Sequence, residues 1–122
     1  MVTYLHKRVH SFKYAWKGIR LGWEEEANFR FQTVCAALAL ALAFVLQISR
    51  IEWLLVLLAM GIVLTAELIN TSLEELCDML QPSHDPHIAK IKDLAAGAVF
   101  LSSWVALLIG AFVFIPRFIS LL

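Results

Sequence analysis

The chain has 122 residues, 61% of them hydrophobic, and its ten basic and ten acidic side chains cancel. A mean hydropathy of +0.77 is more than a soluble domain sustains while still covering its surface with polar groups. Two cysteines, Cys35 and Cys77, are too few and too far apart for a disulfide framework or a zinc site, and both read as small buried hydrophobes.

Taken in chain order, residues 3–28 come first. They are too polar to span a membrane, yet Tyr4, Leu5, Val9, Phe12, Trp16, Ile19 and Trp23 recur at helical spacings with Lys and Arg between them. That pattern predicts an amphipathic helix lying in the headgroup layer, its basic face toward anionic lipid. Because these residues are charged and hold no uninterrupted apolar core, no signal peptide is expected. Apolar segments follow at 31–48, at 51–70 with a helical continuation to about 80, and at 94–115. A spanning helix needs about 20 apolar residues, and continuous runs of this kind satisfy their backbone in lipid only as helices. The predicted fold is therefore an all-α membrane protein, a surface helix followed by three transmembrane helices.

Orientation follows from the basic residues. Eight of the ten Lys and Arg flank the first span on its N-terminal side or lie in the connection between the second and third spans; only Arg50 and Arg117 lie on the other side. This places the N-terminus and that connection in the cytoplasm and the C-terminus outside.

The second span runs without a turn signal into "ELINTSLEELCDML", Glu67 to Leu80. Glu67, Asn70, Glu74 and Asp78 are spaced to project from one side of a helix. From Ile51 to Glu67 the helix rises about 24 Å, so Glu67 belongs just inside the cytoplasmic edge of the hydrocarbon, with Glu74 about two turns further out. An ionisable group at such depth costs about 2 to 3 kcal/mol, which an anchor would avoid by using Leu. Glu26 precedes the first span, and Lys92 and Asp93 precede the third. Carboxylates from different helices, such as Glu26 and Glu74, suit magnesium, which takes few protein ligands and completes its shell with phosphate oxygens. Lys92 suits phosphate charge, and Glu67 suits proton abstraction from a hydroxyl at the membrane surface. These parts would serve phosphoryl transfer to a lipid alcohol. A proton or cation relay in a non-enzymatic membrane subunit is the alternative that the same carboxylates leave open.

The chain has no GxxxxGK(S/T) phosphate loop and no soluble protein-kinase signature. Two histidines in the Pro-containing "SHDPH", with no further ligands, do not make a zinc site. No nucleic-acid partner is expected.

"ELINTSLEELCDML" followed by "AKIKDLAAGAV", with "FKYAWKGIRLGWEEEANFRFQ" upstream, resembles the small integral-membrane prokaryotic diacylglycerol kinase and undecaprenol kinase family. Its hallmark reads E-x-x-N-x-x-x-E-x-x-x-D and then K-D followed by small residues. The resemblance implies a homotrimer of the bacterial inner membrane with active sites shared between subunits, using ATP and Mg2+. It gives Glu67 as the general base, and Glu26 and Glu74 as magnesium-binding carboxylates that also face ATP. Asn70, Lys92 and Asp93 match polar groups of the nucleotide and catalytic site, and Tyr14 matches an aromatic beside ATP. Ser83, His84 and Asp85 align with nucleotide-contacting positions but differ in type from the enterobacterial form, and Lys7 stands where that form has arginine. "DLAAGAV" and "HDPHIAK" look like the undecaprenol branch, whereas the diacylglycerol branch tends to carry Gly-Ser where this chain has Ala95-Ala96. The small residues Ala95 to Ala98 also permit close helix packing.

Overall fold

The computed structural model describes residues 1–80 and 85–122. They form four helices: α1 (Val2–Glu25), α2 (Ala27–Val45), α3 (Arg50–Leu80) and α4 (Pro86–Ser120). The last three are each long and apolar enough to cross a membrane. At 1.5 Å per residue, α3 and α4 are roughly 46 and 52 Å long, well beyond a hydrocarbon layer of about 30 Å. Both therefore carry the bundle out past the layer. The third apolar segment, expected at 94–115, is the inner part of a helix that already begins at Pro86. Asp85 starts it as N-cap, its Oδ1 accepting from the backbone N–H of His87 (2.8 Å) and Ile88 (3.3 Å), with Pro86 at the first helical position.

α2 and α3 are joined by a tight turn. Gln47 takes a left-handed φ of 52°, and the Ile48 N–H reaches back to the Ala43 carbonyl at 3.3 Å, closing the end of α2. Ser49 and Glu52 then form a reciprocal capping box at the start of α3, with side-chain-to-backbone bonds of 3.0 and 3.2 Å. Arg117 of α4 also donates to Glu52, so one carboxylate ties the turn to α4. Beneath it Ala43, Ile48, Val56 and Val113 pack as a buried core, flanked by Trp53, Met60 and Phe114.

α3 is the central element. It packs most extensively against α4 and less against α2, while α2 and α4 hardly meet. Away from the turn the bundle therefore opens. Only 6% of the most apolar stretch of α4 is buried within the chain, a surface that requires lipid or further protein around it. Cys77 is buried as expected; Cys35 is exposed, because it faces the opening between α2 and α4.

α1 leaves the bundle at Glu26, whose extended backbone (φ −113°, ψ 110°) interrupts the helix between α1 and α2. Two contacts fix this junction. The Arg30 guanidinium donates to the Trp23 and Glu24 carbonyls at 2.8 and 3.0 Å, satisfying the end of α1. Gly22 is buried against Phe29 and Leu68, and a Cβ there would stand 2.6 Å from the Leu68 Cδ2. Glycine thus lets α1 touch α3 one turn below Glu26.

Candidate active site

Where α3 leaves the turn end behind, its polar stripe meets the other helices. Glu67 is 2% exposed and Asn70 8%, the two buried polar residues among the described positions. Each of the two inner carboxylates is held by an amide. Gln32 of α2 donates its Nε2–H to Glu67 Oε2 at 3.3 Å, and Asn70 donates to Glu74 Oε1 at the same distance. Glu26, at the junction of α1 and α2, and Glu74 both stand close enough to Glu67 to repel its charge. α4 contributes Lys92, whose Nζ donates to Asp78 Oδ1 at 2.5 Å and which also feels Glu74. The result is a ladder from an almost dry carboxylate at Glu67 to a half-exposed ion pair at Lys92.

The donor set suits a hard divalent cation. Its groups are oxygens, and among the described residues no three His, Cys, Asp or Glu close into a metal cage. Magnesium needs none, since it keeps water or phosphate for most of its shell. The buried Oδ1 of Asn70 and Oε1 of Gln32 have no partner among the described residues. Polar atoms left in that state are expensive unless something binds them.

Beside this ladder the opening between α2 and α4 forms a groove of about 600 Å³, floored by Val63 of α3. Small side chains line it, Cys35, Ala36 and Ala39 from α2, Ser103, Ala106 and Gly110 from α4, and Gln32 stands at its end. One residue therefore touches both the groove and the buried carboxylate.

A family model described as prokaryotic diacylglycerol kinase matches residues 13–114 of the chain. The chain belongs to this family. It is similar to an undecaprenol kinase of Bacillus subtilis, 34% identical over 93% of this chain and 92% of the relative. A diacylglycerol kinase of Synechocystis is 34% identical over 92% of this chain and 65% of the relative. One from Escherichia coli is 30% identical over 78% of each. The protein is thus a membrane lipid kinase, and the kinase reading displaces the relay that the carboxylates alone left open.

Within one chain of this lipid kinase, Glu26, Glu67, Asn70, Glu74 and Lys92 come together; several other expected positions do not. Asp93 is exposed on a different face of α4 from Lys92, beside Pro86, Ala89, Lys90 and Gly97. Successive residues on a helix diverge by about 100°, and here that turns one toward α3 and the other away. Tyr14 is 71% exposed and lies about 18 Å along the helix from Glu26, with Lys7 about 28 Å away. Asp85 spends one oxygen on capping α4. Ser83 and His84 lie outside the described residues. Gln32 and Arg30 are the contributions that motif reasoning passed over. A lone glutamine two residues inside an apolar run was the signal for the first. Arg30, counted only as a flanking charge, locks the junction that carries Glu26.

Proposed function

We propose that this lipid kinase transfers the γ-phosphoryl group of ATP to the hydroxyl of undecaprenol at the cytoplasmic face of the bacterial inner membrane. The observation that carries the reading is the groove whose polar end, Gln32, donates to a buried Glu67. A long isoprenoid lies in the groove with its hydroxyl toward Glu67. Held at Oε2 by Gln32, Glu67 presents its other oxygen to that hydroxyl and takes the proton as the alcohol oxygen bonds to the γ-phosphorus. The bond from that phosphorus to the bridging oxygen of ADP breaks in the same displacement. Glu26 and Glu74 are the residues that would hold Mg2+, which would supply charge neutralisation to the phosphate oxygens. Asn70 orients Glu74, and Lys92 exchanges Asp78 for phosphate.

α1 lies on the membrane surface, the N-terminus and the connection between α3 and α4 are cytoplasmic, and the C-terminus is outside, in keeping with the distribution of basic residues. The functional unit is a homotrimer with shared sites. Tyr14, Lys7 and Asp93 stand away from their own chain's carboxylates and reach a neighbour's instead. Undecaprenol is favoured over diacylglycerol because the Bacillus relative of that name matches over nearly both whole lengths. A groove lined by Ala, Gly, Ser and Cys together with Phe31, Val63 and Leu107 also suits a methyl-branched chain. Diacylglycerol is the second acceptor, the substrate named for the Synechocystis and Escherichia coli relatives.

The test is side-by-side phosphorylation of undecaprenol and diacylglycerol by the purified protein in nanodiscs, with radiolabelled ATP and Mg2+. Label is expected chiefly in the undecaprenol fraction, and Glu67→Gln is expected to lower turnover about 10² to 10⁴-fold. Preferential labelling of diacylglycerol overturns the acceptor. Near-full activity of Glu67→Gln overturns the base.

A further inference from the structure

α1 carries a second cluster that the phosphoryl-transfer reading does not use. His6 and His10, one helical turn apart, share a hydrogen bond between their Nε2 atoms at 3.0 Å, with the rings edge to face at 4.5 Å. Both are exposed. Arg8, between them in sequence, is drawn away: its guanidinium lies 5.0 Å over the Tyr4 ring and donates to the Tyr4 hydroxyl. Tyr14 continues the file on the other side, its ring 6.4 Å from that of His10.

We propose that His6 and His10 form a bidentate site for a borderline divalent transition metal, of the copper or nickel class. The metal ion takes the place of the shared proton, which moves to Nδ1 of the donating ring. Two nitrogens 3.0 Å apart and each about 2.05 Å from one ion subtend an angle of about 94°. That is the cis angle of a tetragonal or octahedral shell, where Cu2+ and Ni2+ are most at home. A tetrahedral ion would need the rings to part by about 0.3 Å. Among the described residues no third His, Cys, Asp or Glu joins the pair, so water completes the shell. Magnesium does not compete, because it prefers oxygen donors to imidazole. The site is a clip: it binds α1 only while the turn between His6 and His10 is helical, so metal and helix stabilise each other.

The inference is independent of the proposed acceptor and is tested without nucleotide, which would itself sequester the metal. The intact protein in nanodiscs is titrated calorimetrically with NiCl2. One ion per chain is expected, weakened at least about tenfold in His6→Asn and in His10→Asn alike, since each leaves a single ligand. His87→Asn should bind as the parent does. A second measurement reads the clip itself. At a nickel concentration a hundred times its dissociation constant, the opened form of the segment becomes about a hundredfold rarer, and trypsin cleavage after Lys7 and Arg8 slows accordingly. Unchanged uptake in both single variants overturns the site. Loss in only one of them overturns the chelate, and so does nickel binding that leaves the cleavage rate untouched.

Discussion

Gln32→Leu isolates the contact that joins the groove to Glu67, the proposed base. Leucine keeps much of the volume and suits the apolar surroundings, so the bundle should hold. What is lost is one N–H donated to Glu67 Oε2 at 3.3 Å. A hydrogen bond to a charged group contributes about 1.5 to 3 kcal/mol. This one lies just beyond the usual 2.7 to 3.2 Å range, which puts it at the low end, about 1.5 kcal/mol. If the bond orients the carboxylate for proton removal, that converts to about a tenfold fall in kcat. The assay is initial-rate phosphorylation of the lipid in nanodiscs, with lipid and ATP varied separately. The loss should fall on kcat, with KM for ATP unchanged. A double-mutant cycle with Glu67→Gln sharpens the result, because residues acting through one another are not additive. In the Glu67→Gln background, Gln32→Leu should therefore add little. A further full tenfold loss there, or a defect confined to the KM for lipid, would refute the positioning role.

Gly110→Leu fills the groove from α4. A Cβ at Gly110 meets nothing nearer than Phe114 at 3.9 Å, and leaving glycine gains about 0.8 kcal/mol in helix propensity, so thermal stability should hold or rise while KM for the lipid increases. Arg30→Met removes both donors to the end of α1; hydrogen exchange should show α1 amides near Trp23 opening at a cost lowered by about 1 to 2 kcal/mol, with α3 and α4 unaffected. Gly22→Val drives a branched side chain into Leu68 and displaces the junction beneath Glu26; KM for MgATP should rise, and the melting temperature should fall. Asp78→Asn releases Lys92 from an exposed pair that adds little to stability. Melting should barely change, while the salt dependence of KM for ATP increases.

Much of this was legible because it is local. The spacing Glu67, Asn70, Glu74, Asp78 defines one helical side whatever the helix packs against, and continuous apolar runs mark spans. Asp85-Pro86 also carried a readable signal, an N-cap followed by proline, although Lys90, Lys92 and Asp93 hid the early start of α4 from hydropathy. Hydropathy measures depth in lipid, and helices do not stop where lipid does. Lys92 and Asp93 belong together as a sequence motif, yet neighbours on a helix must part, and only the packing of α4 on α3 decides which turns inward. Arg30 and Gln32 depend on contacts across the junction and between helices, and these have no periodicity to read. Tyr14 and Lys7 lie too far along α1 for any folding of one chain to bring them to Glu26.

The lopsided packing of the bundle bears on how acceptor preference can change. The proposed chemistry rests on α3, on the α1–α2 junction and on Lys92 near the start of α4, whereas the groove walls belong to later turns of α2 and α4, which hardly meet. A substitution on either wall away from Gln32 alters the width of the groove while leaving the Gln32–Glu67 contact in place. Selection can therefore retune which lipid is admitted in single steps, each leaving the phosphoryl-transfer apparatus intact. One scaffold can in this way supply relatives named for different alcohols without re-inventing the reaction.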